Sequence, residues 1–262
     1  MTWNIWGRFG PWLSRKEAIM ATLADVRPDL CGLQEVWSVG KQNLAADLAE
    51  RLGMHWRWEM ASRAEPGSDD EVCIGNAILS RWPIVADSAA SLPTADDDED
   101  RVAVHARIET PGGFLPMFTT HLTHHPGASQ IRLAQVRRLA EFVAMYARDC
   151  AYPPVVTGDL NAEPASDELR LLGGLLTAPA VPGQVLVDAW RYADQADPGF
   201  TWDRSNGYHT VSLIPDSRID YILVGLHKQG RGTIQSKRLA GRTPIDDVWP
   251  SDHFAVVTDL QQ

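Results

Sequence analysis

The ten residues Val155-Val156-Thr157-Gly158-Asp159-Leu160-Asn161-Ala162-Glu163-Pro164 constrain this chain more than any others. Pro153 and Pro154 bar a helix ahead of them, and Val155, Val156 and Thr157 favour an extended strand. The strand breaks at Gly158 and ends on an acid and an amide. In an open α/β sheet such strand ends gather ligands. Taken alone, the segment is explained as well by an Asx-turn that closes a strand.

The same pattern recurs along the chain. Thr2-Trp3-Asn4-Ile5-Trp6 reads as a first strand stopped by Gly7, and Leu30 to Gln34 as a buried strand that delivers Glu35 at its far end. Trp56, Trp58 and Met60 alternate as a strand, and Gly75 to Arg81 forms an apolar run. Val102, Val104, Ala106 and Ile108 alternate with His105 and Arg107. Their strand pairs with Phe114 to His121 across the Pro111-Gly112-Gly113 turn. Arg218 to Val224 is a strand by composition, and Ser251-Asp252-His253 opens a last buried one. Helices are predicted from Ser14, whose Ser14-Arg15-Lys16-Glu17 pattern reads as a capping box, to Val26. Others are predicted around Leu44, Leu48 and Leu52, from Ser129 to Asp149, and from a Ser166 cap to Leu172. Glu65 to Glu71 and Asp96 to Asp100 read as acidic loops. Strands interleaved with a few helices, with polar groups at strand ends, predict two sheets with helices outside and a polar rim at one edge.

No repeat, low-complexity tract or long linker divides the 262 residues, so residues 1–262 are expected to form a single domain. The 34 acidic and 24 basic side chains leave a net charge of −10, which argues against tight, sequence-blind binding of long nucleic acid. A small anionic substrate remains compatible with that charge if a metal supplies local positive charge. Cys31, Cys73 and Cys150 are odd in number and lack metal-ligand spacing, as expected of free thiols in a reducing compartment. No apolar run reaches ~18 residues, so no membrane span is expected. No basic-then-apolar leader opens the chain, which favours the cytoplasm, although a strand already under way at Thr2 leaves the natural start open.

The strand-end polar residues are Asn4, Glu35, His121, Asp159, Asn161, Asp220, Asp252 and His253. Hard oxygen donors such as Glu35, Asp159, Asn161 and Asp252 suit Mg²⁺ or Mn²⁺ rather than zinc. Two histidines among carboxylates suit the holding and transfer of protons at an anionic substrate.

Seven segments carry a more specific signal. They are Thr2-Trp3-Asn4-Ile5-Trp6, Leu33-Gln34-Glu35-Val36, Gly75 to Arg81, Thr120-His121-Leu122, Gly158-Asp159-Leu160-Asn161, Arg218-Ile219-Asp220-Tyr221 and Ser251-Asp252-His253. In this order, and over nearly the whole chain, the series resembles the endonuclease/exonuclease/phosphatase superfamily. That group includes pancreatic-type DNases, apurinic endonucleases, neutral sphingomyelinases, inositol polyphosphate phosphatases and deadenylases. The resemblance implies an α/β, DNase I-like fold: a four-layer sandwich of two mixed β-sheets flanked by helices. It also implies a Mg²⁺- or Mn²⁺-dependent phosphoester hydrolase. By the same resemblance, Glu35 is the main metal carboxylate, with Asn4 close to it as a metal residue and Asp252 adding to the site. Asp159 and Asn161 orient the attacking water and the phosphoryl group, and His121 donates to a phosphate oxygen. His253 is the second catalytic histidine, oriented by Asp220. The base stays open between Asp159 and His253.

Substrate class rests on weaker signals. The acidic balance and the lack of a basic run speak against a duplex groove, and Arg137-Arg138 reads as a solvated helix face. No apolar hairpin suited to a bilayer is present. Most of Trp3, Trp6, Trp12, Trp37 and Trp202 are expected in the core, with one or two free to stack on a ring at the site mouth. His124 and His125 read as loop residues or substrate contacts, and His55, His105, His209 and His227 as structural or surface groups. The expected activity is hydrolysis of a small soluble phosphomonoester or phosphodiester, nucleotide-like or sugar-like. The alternatives are a nuclease on single-stranded or damaged nucleic acid, and a catalytically silent binding module; the oligomeric state is left open.

Overall fold

In the computed structural model, residues 1–63, 72–95, 99–192, 196–209, 214–226 and 230–262 are described. Residues 65–71 and 96–98 of the two expected acidic loops, and His227, lie outside the described residues. The first sheet holds β1 (Thr2–Asn4), β2 (Leu30–Val39), the two-residue β3 (Gln42–Asn43), β4 (His55–Arg63) and β5 (Val72–Ser80). Among the described residues, β6 (Ile84–Leu92), β7 (Arg101–Thr110), β8 (Gly113–His121), β9 (Val155–Asp159), β10 (Leu186–Asp188) and β11 (Asp220–Gly225) form the second, in the order β10-β11-β9-β8-β7-β6. The chain then returns to the first sheet with β12 (Ile234–Ala240) and β13 (Ala255–Leu260), giving the order β12-β13-β1-β2-β5-β4 with β3 beside β2. Both sheets are mixed, because β1 runs parallel to β2 and β8 parallel to β9 while the other pairings are antiparallel.

Each sheet buries both faces. Val102, Val104, Ala106 and Ile108 of β7 meet Ile78 and Val256 of the first sheet between the layers. The sheets come close at Gly32, where a Cβ would run into the Thr157 and Thr119 side chains, so a larger residue there would force the layers apart. Outside the first sheet, α1 (Trp12–Val26) and α2 (Leu44–Leu52) cover Trp3, Leu33 and Leu79 with Ile19, Leu23, Leu44 and Leu48. Outside the second, α3 (Ser129–Tyr146) and α4 (Asp167–Gly173) cover Phe118 and Val156 with Val136, Leu139, Phe142, Leu169 and Leu172. This is the expected four-layer arrangement.

Several local expectations need correction. Helix α1 begins at Trp12 behind Pro11 with no side-chain cap, so Ser14 sits inside its first turn and the capping box does not form. Pro11 fixes its own φ at the helix entry, and its carbonyl accepts from Arg15 N–H at 3.0 Å. Strand β2 does not end at Glu35 but runs to Val39, with a register shift between Leu33 and Val36 and a left-handed Glu35 at φ 55°. The carboxylate therefore sits on a bulge, which re-aims a side chain within a continuing strand. Helix α3 ends at Tyr146, short of Asp149. Strands β6 and β12 were not expected; β6 is rich in Ala and Ser and largely exposed, which blurs the two-residue period. Ser166 does cap α4, accepting from Leu169 N–H, and Gly174 closes it at φ 63°. Cys31, Cys73 and Cys150 are free thiols. No helix among the described residues is long and apolar enough to cross a membrane.

Candidate active site

Strand register builds half of the site. His121 pairs with Asp159 across β8 and β9, and Asp159 pairs with Asp220 across β9 and β11. One row across three strands thus carries an imidazole and two carboxylates. The backbone turns at Asn161, φ 46°, whose N–H donates to Asp159 Oδ1 at 2.9 Å, so the Asx-turn is present as well as the site. The Asn161 amide donates to Leu122 O at 3.1 Å and lies 3.0 Å from His121 Nε2. If that contact is a donation, His121 carries its proton on Nδ1, 4.0 Å from Glu35 Oε1.

The first sheet supplies the other half. Asn4 donates through Nδ2 to Glu35 Oε1 at 2.9 Å and to Asp159 Oδ2 at 3.1 Å. Its own oxygen, the atom a metal would need, accepts from Trp6 N–H at 3.0 Å. As placed, Asn4 ties the two carboxylates together, which differs from the ligand role expected for it. His253 precedes β13, with Nδ1 2.9 Å from Asp220 Oδ2 and Nε2 3.8 Å from Asp159 Oδ2. Ser251 donates to Asn4 O at 2.7 Å and lies 3.2 Å from Asp252 Oδ1, which joins the β13 approach to β1. All eight expected site residues are therefore brought to one end of the sandwich. All but Asp220 line one cavity of about 1030 Å³, and Asp220 lies behind His253.

Sequence reasoning missed two arginines here. Arg15, read in the sequence only as part of a capping-box pattern, is 1 % exposed and donates to the carbonyls of Ile5, Trp6, Gly7, Phe9 and Pro250. It pins the loop after Asn4 to the loop before Ser251, and burial pulls its pKa down to about 10. Arg101, at the start of β7, is buried and lines the cavity. Only its place as a lone cation before an apolar strand marked it. Trp202 lies with its ring 5.0 Å from that of His253, and Trp6 lies 4.9 Å from Tyr208.

The charge balance is unusual. Asp159, Asp220 and Asp252 are buried and Glu35 is half-buried. Burial raises the Asp159 pKa to about 7, helped by the neighbouring Asp220, and raises Asp252 likewise to about 7. Glu35 is also pushed up, first by burial. Burial alone would lower His253, but Asp220, Asp252 and Asp159 hold it well above its ordinary value. His121 is driven well below by burial and by the Arg101 charge, so it is neutral. Asp220 Oδ1 has no hydrogen-bond partner.

A divalent cation fits this donor set, because crowded carboxylate oxygens short of positive charge are the ligands that Mg²⁺ and Mn²⁺ take. Asp159, Asp220 and His253 offer donor atoms within 4.8 Å of one another. The His253–Asp220 hydrogen bond already occupies two of these groups, while the Glu35, Asp252 and Asp159 carboxylates line the same cavity.

Residues 1–253 match the model of the Endonuclease/Exonuclease/phosphatase family. A curated relative, a putative neutral sphingomyelinase of Caenorhabditis elegans, is 26 % identical over 300 residues, covering 98 % of this chain; the chain spans 64 % of that relative's length. Among solved structures, D. rerio TDP2 complexed with a single-strand DNA product superposes with TM-score 0.78 at 21 % identity, covering 100 % of this chain and 97 % of that one. The human Nocturnin catalytic domain with a bound sulfate anion gives 0.71 at 19 %, covering 99 % and 92 %. With the fold, the ordered motifs and the family match in agreement, this chain belongs to the Endonuclease/Exonuclease/phosphatase family, which is made up of phosphoesterases and nucleases.

Proposed function

We propose that residues 1–262 act as one divalent-metal-dependent phosphoesterase that hydrolyses a small soluble phosphomonoester or phosphodiester, nucleotide-like or sugar-like. The observation that carries this reading is the row His121, Asp159 and Asp220 set against Glu35, Asp252 and His253, with too little positive charge for its carboxylates. Glu35 and Asp252 would hold Mg²⁺ or Mn²⁺, with Asp159 at its edge and Asn4 orienting Glu35 and Asp159. Such an ion, when bound, offsets charge on the phosphoryl oxygens.

The chain's own groups divide the remaining work. His253, kept protonated by Asp220, donates a hydrogen bond to a phosphoryl oxygen instead of taking a proton. That leaves Asp159, with its raised pKa, as the base for the attacking water. Neutral His121, positioned by Asn161, donates through Nδ1 to a second oxygen. The net charge of −10 favours a small substrate over long duplex. A nuclease acting on single strands is the second reading, favoured by the single-strand DNA product in D. rerio TDP2 and by the aromatic Trp6, Phe9 and Trp202 along the cavity.

The test is turnover of a panel with Mg²⁺ or Mn²⁺, with and without chelator: p-nitrophenyl phosphate, bis-p-nitrophenyl phosphate, nucleotides, single-stranded and plasmid DNA, and choline phospholipids. Chelator-sensitive cleavage of small esters is expected, reduced ~10²-fold or more in a folded His253→Ala variant. Chelator-insensitive cleavage, or silence across the panel, would overturn the proposal. Cleavage confined to single-stranded DNA would select the second reading.

A further inference from the structure

The cavity lining continues from His121 past the end of β8 to Arg101, His124, Pro126 and Ser129. Arg101 is 5 % exposed. Its Nη2 donates to Glu99 Oε2 at 2.9 Å and lies 3.1 Å from His124 Nδ1, while its Nε has no hydrogen-bond partner. A buried guanidinium N–H without an acceptor is costly, and Nε shares with Nη2 the edge through which arginine takes a phosphate or carboxylate in two parallel bonds. Half of that edge is therefore unfilled. Glu99, the anion on the other half, is 58 % exposed at its side chain and reaches in from the solvent side.

The partner loop is held in place. Arg132 donates to the carbonyls of Thr123 at 3.2 Å, His125 at 2.7 Å and Pro126 at 3.3 Å, and its Nε pairs with the buried Glu168 at 3.0 Å. That buried pair fixes the backbone on either side of His124. The exposed His124 ring thus stands beside Arg101 on a braced loop at the cavity edge.

We infer that Arg101 and His124 form a second anion position, which takes a phosphoryl group neighbouring the one that is cleaved. The inference rests on the proposed phosphoesterase reading and narrows it to substrates with at least two phosphoryl groups. Arg101 binds the second group through Nε and Nη2, His124 adds a donor, and Glu99 is the carboxylate that this group displaces. A nucleoside diphosphate and an oligonucleotide both present that chemistry.

Two arms separate the sources: kcat/KM for ADP relative to AMP, and for the trinucleotide TpTpT relative to the dinucleotide TpT, with Mg²⁺. Arg101→Gln is expected to lower one of these ratios about tenfold, mainly through KM, and the affected arm names the source. Arg101→Lys should restore part of the ratio through charge without the fork. His124→Ala, at an exposed position, should lower the same ratio by a smaller factor, and Glu99→Gln should raise it. Ratios unmoved in both arms by folded Arg101→Gln and His124→Ala would overturn the inference. Calorimetry with inorganic pyrophosphate and inorganic phosphate makes the test independent of turnover. A wild-type preference for pyrophosphate that Arg101→Gln abolishes supports the second position even if the proposed activity fails. Equal binding of both probes by the wild type would overturn the inference.

Discussion

Two groups of buried charge lie along the same cavity and are built on opposite plans. Arg132 and Glu168, 5 % and 1 % exposed, pair at 3.0 Å, and three more guanidinium hydrogens go to backbone carbonyls. That group closes on itself. Glu35, Asp159 and Asp252 crowd around the protonated His253, and burial pushes their pKa values up. A buried ion pair that satisfies its own charge is architecture, whereas crowded buried carboxylates with raised pKa values mark a candidate ligand site.

Breaking the closed group should be the most damaging. Arg132→Met strands Glu168 as an unpaired buried acid and should destabilise the fold by about 3–5 kcal/mol in urea unfolding at neutral pH. A loss below ~1 kcal/mol would mean that the pair is not the structural element the geometry describes.

A third buried polar group sharpens the contrast because it has neither partner nor ligand. His105, 2 % exposed, has no acceptor or donor on either nitrogen and lies 4.7 Å from the Tyr146 ring and 4.8 Å from Phe118. Burial lowers its pKa from the ordinary 6.5 to about 4. Between those values the unfolded chain takes up a proton that the folded one refuses. Stability is therefore unaffected by this group above pH 6.5 and falls by roughly 3 kcal/mol as pH drops to about 4. His105→Phe should flatten that part of the stability curve, measured by unfolding across the range; an unchanged slope would assign the acid sensitivity elsewhere.

Much of this was legible in the sequence, for stated reasons. Strand ends such as Gly158-Asp159-Leu160-Asn161 advertise themselves through β-branched residues followed by a break. Ser166 and Gly174 mark α4 through the local chemistry of helix ends. What stayed hidden depends on contacts far apart in sequence. The row of His121, Asp159 and Asp220 needs β8, β9 and β11 side by side, a pairing no local pattern encodes. The bulge at Glu35 depends on β5 opposite it. The role of Arg15 was not legible because its five carbonyl partners come from two loops, one of them more than 230 residues away. The orientation of the Asn4 amide is set by Trp6 N–H and two carboxylates, and neither composition nor spacing specifies it.

The central claim, that the carboxylate group is built around a divalent cation, is tested most directly by the unfolding stability of wild type and Glu35→Gln at pH 7.5, with chelator and with Mg²⁺. Without metal, burial holds the Glu35 pKa above its ordinary value, so removing this charge at pH 7.5 should make Glu35→Gln the more stable protein. With Mg²⁺ the wild type should gain stability, Glu35→Gln should gain little, and the order should reverse. A wild type indifferent to Mg²⁺, or a Glu35→Gln variant that gains as much from it, would contradict the account.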